Sequence, residues 1–253
     1  FNFLYVGHWL QGGMGEDRKD TGMLVKVFCE TFKNLKQKPG LIMKTSGAGY
    51  SVLDRQSMLH KIREIRAGVS GDLPNVYLLH GDFMDEEING LYNHPKVKAH
   101  VSLTHGEGFG RPLLEASLSE KPVIAPDWSG HTDFLKKPNA VMLGGSLTDV
   151  PKSAFPEQFF VEGMKWFTVN YQEASVRMKD VYKNYRKYTL PAKKLTIGNK
   201  VKFSLDSMTK KFGQILDKYV PEFAEEVKLE LPKLNKVKDV EAPKIKLPKL
   251  KKV

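Results

Sequence analysis

An α/β fold with a parallel sheet covered by helices on both faces is what this sequence predicts, and two observations carry the prediction. Strand-like and helix-like patterns alternate from the first residue to about residue 143. Within residues 97–116 an apolar strand runs into three glycines and straight on into a helix. That junction is where α/β sheets bind phosphate, because free N–H groups point outward and the helix dipole favours an anion.

The elements follow in order. FNFLYVG at Phe1–Gly7 reads as a buried strand. Over Gly22–Leu35, the residues Met23, Leu24, Val27, Phe28, Phe32 and Leu35 recur at helical spacing. Gly40–Lys44 is a short strand. Asp54–Ala67 is a helix that turns Met58, Ile62 and Ile65 inward, with Leu53 just before it. Asn75–Leu79 is a strand, and Asp85–Tyr92 a helix opened by an acidic first turn. Val97–Leu103 leads into the glycines, and Lys121–Ala125 and Ala140–Leu143 are the last strands. Residues 157–187 read as helical, with Phe159, Phe160, Trp166, Phe167, Tyr171, Tyr182 and Tyr185 packing at helical spacing. Asp206–Tyr219 is a further amphipathic helix.

Beyond about Val220 the composition changes. From Val227 on, three spaced prolines and many lysines replace the aromatics, and Leu231-Pro232-Lys233-Leu234 recurs as Leu247-Pro248-Lys249-Leu250. Proline blocks helix interiors, so an extended basic tail is expected. It is either a solvated flexible tail or a two-copy docking peptide for a protein partner over residues 227–253. The predicted division is an α/β domain at 1–190, a helical extension at 191–220 and the tail at 221–253.

The chain has 253 residues, a formal net charge of +11 and 41% hydrophobic residues, an ordinary apolar fraction. After Val227 nine lysines stand against three acidic residues, so much of the excess is local. An anionic substrate, an anionic membrane surface or a nucleic acid would each suit such a charge. There is no zinc-finger spacing, RNP-like aromatic motif or basic recognition helix, so nucleic acid stays a minor expectation. The longest apolar runs fall far short of a membrane span. The chain opens on a strand pattern with no basic stretch before it, so a signal peptide is not expected. The single Cys29 cannot form an internal disulfide and lies in an apolar helical run, which predicts a buried core thiol in a cytoplasmic protein.

The chemistry concentrates in HGEGFGRPLLEA. Gly106, Gly108 and Gly110 let a ligand approach the backbone. Pro112 suits the first turn of a helix. Glu107 and Glu115 stand eight positions apart, the second about one turn into the helix, within reach of a sugar hydroxyl beside the phosphates. A dinucleotide fingerprint is the rival, with Asp127 about twenty residues on. Against it, the GxGxxG step is missing, Glu107 would put a carboxylate beside a pyrophosphate, and several strand–helix units precede the glycines. A plain tight turn would account for the glycines but leave both glutamates unexplained.

In register, Glu107, Gly108, Phe109, Gly110, Pro112, Glu115 and Ala116, then Lys121-Pro122-Val123-Ile124-Ala125, then Gly130 and Asp133, resemble the EX7E signature of retaining GT-B glycosyltransferases, most of all the family 4 group. The resemblance covers residues 1–190 and implies the C-terminal, donor-binding, Rossmann-like half of that fold. It implies a nucleoside diphosphate sugar, UDP- or GDP-linked, as donor, with no tightly bound cofactor and no catalytic metal. In the family an acceptor-binding domain precedes this half; this chain is expected to lack it, and the acceptor is not named.

The resemblance also assigns roles. The backbone N–H groups of Gly108, Phe109 and Gly110 would hold the diphosphate. Glu115 would accept from the ribose hydroxyls, and Glu107 would lie near the transferred sugar. Gly7 to Met23 resembles the family loop that carries Arg and Lys, with Arg18 and Lys19 in its Arg-Lys position and Lys19 on the diphosphate. His8 follows Gly7 where the family has Arg, and a neutral imidazole is a weaker phosphate ligand. Residues 79–83 would meet the base, mostly through backbone. Asp127, Ser129 and His131 line the next loop within reach of the sugar. The alternative is a GT-B-like domain without activity that serves as an interaction module, docked by its LPKL tail.

Overall fold

The computed structural model describes residues 1–10, 12–47 and 49–221. Six parallel strands form one sheet, interleaved with helices: β1 (Asn2–Val6), α1 (Thr21–Phe32), β2 (Gly40–Lys44), α2 (Val52–Ala67), β3 (Val76–Leu79), α3 (Asp85–Asn93), β4 (Val97–Val101), α4 (Arg111–Ser117), β5 (Val123–Pro126) and β6 (Val141–Leu143). The strand order is β3-β2-β1-β4-β5-β6. After β3 the chain returns to the other side of β1, so the order reverses between β1 and β4. Open α/β sheets bind ligands at such a reversal, outside the carboxyl ends of the strands.

The apolar faces are sorted by strand alternation. Phe3 and Tyr5 of β1 point to one core, with Leu24, Phe28 and Phe32 of α1. Leu4 points to the other, with Tyr92, Leu113 and Leu135. Phe3, Phe28 and Phe32 pack edge-to-face or tilted at 5.0–5.8 Å between ring centroids, the geometry aromatic pairs prefer. Ser51 caps α2 by accepting from the Asp54 amide. Cys29 is fully buried, and burial pushes its thiol above the ordinary range.

One sequence expectation fails. Residues 157–187 are not helical throughout. Lys165–Val169 is a strand, β8, paired antiparallel with β7 (Gly145–Asp149) in a two-stranded ribbon, with Trp166 opposite Thr148 and Phe167 opposite Leu147. The segment KWFTV is rich in aromatic and β-branched residues, which fit a pleated surface. Pro156 starts a short 3₁₀ turn, and Gly163, at φ 81°, breaks any helix before the strand. The helical reading resumes at α5 (Tyr171–Lys183), capped by the Asn170 side chain.

Helix α6 (Tyr185–Lys202) follows and runs through residue 190 with Pro191 inside it. It is tied to α4 by buried polar contacts. Thr196 Oγ1 donates to the Ser117 carbonyl at 2.7 Å, and Asn199 Nδ2 reaches Ser117 Oγ at 2.8 Å and the Phe134 carbonyl at 3.2 Å. Phe1–Lys210 form one compact unit, and a second begins at Lys211. Helix α7 covers Leu205–Tyr219. The expected extended tail, with its LPKL repeat, lies outside the described residues. No described helix is long and apolar enough to cross a membrane.

Candidate functional site

Three chain segments meet at the carboxyl end of β1 and β4. The first leaves β1 through Gly7, whose N–H donates to the Lys44 carbonyl at 3.1 Å, and His8, whose Nδ1 lies 3.3 Å from Ser46 Oγ. It then turns into α1. Asp17 holds that turn: its carboxylate accepts from the Thr21 amide at 2.9 Å and the Gly22 amide at 3.4 Å, satisfying donors at the helix start. The turn presents Arg18 and Lys19.

The second segment is the glycine loop after β4. Glu107 points back to the turn, paired with the Lys19 ammonium and lying 3.8 Å from Arg18 Nη1. Arg18 Nη1 also donates to the Gly106 carbonyl at 3.1 Å. Lys19 and Glu107 keep only 13% and 10% of their side-chain surface exposed, so this is a mostly desolvated ion pair. Burial lowers the Lys19 pKa, while the Glu107 carboxylate opposes the shift. Gly110 takes φ 87° at the start of α4. Among the described residues, no hydrogen bond engages the N–H groups of Gly108, Phe109 or Gly110 within the protein. The Phe109 side chain turns away from the turn, its ring centroid 5.3 Å from that of Phe134 and 6.0 Å from that of Phe203. Only its backbone serves the loop.

The third segment follows β5. Ser129 Oγ accepts from the Glu107 amide at 2.9 Å, and the Gly130 amide donates to the Glu107 carbonyl at 2.9 Å. His131 is fully buried under Gly110, with Nε2 2.7 Å from the Pro126 carbonyl, and burial lowers its pKa. Its role is to prop the glycine loop. Asp127 is engaged by Lys137 Nζ at 3.0 Å.

The first segment and the start of α4 line one face of a cavity of about 360 Å³, whereas Glu107, Gly108, Phe109, Gly110 and the loop after β5 lie outside its walls. Its walls bring together Gly7, His8, Arg18, Lys19 and Glu115. Glu107 joins it through its two cations. Glu115 is also held by Arg111, whose Nε lies 3.2 Å away one turn earlier on α4. The opposite wall carries Asp82 and Phe83 after β3, within the 79–83 segment expected at the base, and four residues that the sequence reading does not single out: Lys44 at the end of β2, Thr45 and Ser46 after it, and Tyr50. Lys44 Nζ donates to the Gly81 carbonyl at 2.8 Å and sits 5.4 Å from the Tyr50 ring and 4.8 Å from the Phe83 ring, within cation–π reach of both. The signal that could have found them is topological: they lie at the carboxyl ends of the strands on one side of the reversal. Among the described residues no cluster of three His, Cys, Asp or Glu side chains is arranged to hold a metal ion.

No family model matches the chain, and no curated protein matches its sequence. Solved structures do. The HepE protein of Anabaena in complex with UDP-glucose is 17% identical, with a TM-score of 0.56 over 85% of this chain and 48% of its own. Sucrose-phosphate synthase of Thermosynechococcus elongatus is 15% identical, with a TM-score of 0.57 over 86% of this chain and 45% of its own. TarM of S. aureus, solved as a mutant with UDP, is 16% identical, with a TM-score of 0.57 over 85% and 35%. The chain thus spans about half the length, or less, of these structures. At such identities the likeness is one of fold: a six-stranded parallel, Rossmann-like α/β sheet of the kind found in glycosyltransferases.

Proposed function

We propose that this chain is the donor-binding half of a retaining glycosyltransferase that takes a nucleoside diphosphate sugar. The observation that carries the reading is the convergence of Arg18, Lys19 and Glu115 on one cavity at the sheet's topological reversal. Two cations beside a carboxylate suit a ligand with a diphosphate at one end of a ribose. When the bond between the sugar's anomeric carbon and the diphosphate oxygen breaks, negative charge grows on the leaving phosphate. Lys19, Arg18 and the N–H groups of the glycine loop would stabilise it. Glu115 would accept from the ribose hydroxyls. Glu107, held by both cations, would exchange part of that pairing for the incoming ligand and face the transferred sugar. His8 would flank the phosphates, and Tyr50, Phe83 and Lys44 supply a flat apolar and cationic wall for the base.

UDP-glucose is the first ligand to test, because the HepE structure holds it. Isothermal titration of the chain with UDP-glucose and with a GDP-linked sugar is expected to give micromolar-to-millimolar binding of one of them. Glu115→Gln should weaken that binding about tenfold, one hydrogen bond to a charged group being worth about 1.5–3 kcal/mol. Gly108→Ala separates binding from folding. A Cβ at that position meets no atom within 4 Å, so the folded protein has room for it. The methyl would stand where the loop's N–H groups meet the phosphates. Unchanged thermal stability with lost binding is the expected result. If no nucleotide sugar binds, the enzyme reading fails and the interaction-module reading takes its place.

A further inference from the structure

The wall proposed for the base is backed by a bond that the donor reading leaves unused. Helix α2 opens Ser51-Val52-Leu53-Asp54, the spacing of a capping box, in which the acid at the third helical position reaches back to the amide of the capping residue. The serine half of that exchange is made: Ser51 Oγ accepts from the Asp54 amide at 3.1 Å. The Asp54 carboxylate turns elsewhere. Its Oδ1 and Oδ2 accept from the Gly47 amide at 3.1 and 3.0 Å, and Oδ2 also meets His80 Nε2 at 2.7 Å. The Asp54 side chain keeps 14% of its surface exposed and that of His80 4%. A capping acid diverted into a nearly buried bond at the sheet's edge calls for a reason.

The bond crosses between two strands. Gly47 and Asp54 follow β2, whereas His80 comes directly after β3. A carboxylate only accepts, so His80 Nε2 carries a hydrogen. Burial pushes the Asp54 carboxyl up, but the bonds from His80 and the Gly47 amide outweigh it and hold the group below its ordinary range, ionised at neutrality. The contact is tight as well as polar. A Cβ on Gly47 would lie 2.3 Å from Asp54 Oδ1, so any side chain there would displace the carboxylate.

What the bond holds is the wall. Tyr50 stands between Gly47 and Asp54 in the chain and packs edge-on to the His80 ring, with centroids 6.1 Å apart at 73°. Phe83 follows His80 by three residues. Lys44 lies between the two rings, bonded to the Gly81 carbonyl and within cation–π reach of both. Tyr50, Lys44 and Phe83 line the cavity, and Asp54 and His80 stand behind them. We propose that Asp54 and His80 are positioning residues: their hydrogen bond fixes Tyr50 relative to Phe83 and so sets the aromatic wall on which a nucleobase stacks.

The nucleobase rests on the donor reading, and the test separates the two. Inorganic pyrophosphate carries the phosphates without a base, so it calls on Arg18 and Lys19 and not on the aromatic wall. Titration of UDP, GDP and pyrophosphate into the wild type, His80→Phe and His80→Gln measures both. Phenylalanine keeps a ring and loses the donor, while a glutamine amide can place an N–H where Nε2 stands. UDP or GDP, whichever the wild type binds more tightly, should bind about tenfold more weakly to His80→Phe, the worth of one stacked base. Pyrophosphate should bind all three proteins alike, and His80→Gln should recover most of the nucleotide affinity. Equal weakening of nucleotide and pyrophosphate, no weakening of either, or no recovery in His80→Gln overturns the proposal.

If none of the three probes binds the wild type, the donor reading fails by itself, and backbone nitrogen relaxation decides the role of the pair. Order parameters of Tyr50 and Phe83 should fall in His80→Phe and hold in His80→Gln, with those of Gly108 and Gly110 unchanged in both. Wild-type values for Tyr50 and Phe83 in His80→Phe are the contrary result. If His80→Phe does not fold, Asp54→Ala cuts the same bond from the helix side and should show the same selective loss. Failure of both variants to fold would make the bond a requirement of the whole domain and refute a role confined to the wall.

Discussion

Lys19→Met is expected to cost about 3 kcal/mol of folding stability, the low end of the range for removing one partner of a buried ion pair. The reason lies in what stays behind. Glu107 keeps only 10% of its side-chain surface exposed, and its remaining cation, Arg18, stands 3.8 Å away on a side chain that is 43% exposed. Such an arm repays little of the cost of holding a carboxylate out of water. The double variant Lys19→Met/Glu107→Gln removes both charges and should recover all but about 1 kcal/mol, because replacing a buried pair by neutral groups of similar shape is often neutral. Urea unfolding of the wild type, both singles and the double closes the cycle. Additive losses across it would mean that the pair contributes nothing as a pair. Nucleotide-sugar binding should be lost in Lys19→Met and stay lost in the double, since stability returns without the cation. That pattern distinguishes a residue needed by the ligand from one needed only by the fold.

How much of this was open to a reader of the sequence depended on distance along the chain. The strand at Gly40–Lys44 has the same bounds in the sequence reading and in the sheet. A short apolar run between turn residues leaves a strand few alternatives. The ribbon strand Lys165–Val169 was missed because Phe159, Phe160, Trp166, Phe167 and Tyr171 suit helical spacing. Its pairing with Gly145–Asp149 settles the matter through bonds that spacing does not contain. The candidate site divides in the same way. Glu107, Gly108, Gly110 and Glu115 are spaced along a single loop and helix, so their order alone sets them in relation. Lys44 reaches the cavity because β1 and β2 pair with Val6 beside it, a register no local pattern records.

Gly130→Ala should be at least as damaging as loss of Lys19, through sterics rather than charge. A Cβ on Gly130 would lie 1.9 Å from the Gly108 carbonyl oxygen, 2.6 Å from its carbon and 2.9 Å from the Glu107 carbonyl oxygen. All three are backbone atoms, so no side chain can swing aside, and the two loops must separate. That separation breaks the bond from the Gly130 amide to Glu107 and draws Glu107 from Ser129. Overpacking costs about 1–3 kcal/mol where side chains can adjust, so a contact between two main chains is expected to cost about 3 kcal/mol or more. Gly108→Ala, across the same contact, has open space and should fold normally. The pair of variants thus makes opposite demands on one loop junction: Gly130→Ala fails in folding, and in binding as a consequence, while Gly108→Ala fails in binding alone. Thermal unfolding and UDP-glucose titration of the two proteins side by side check both. Wild-type stability in Gly130→Ala would show that the glycine and β5 loops are not locked together, and with that the rigid placement of Glu107 on which the donor site depends would be lost.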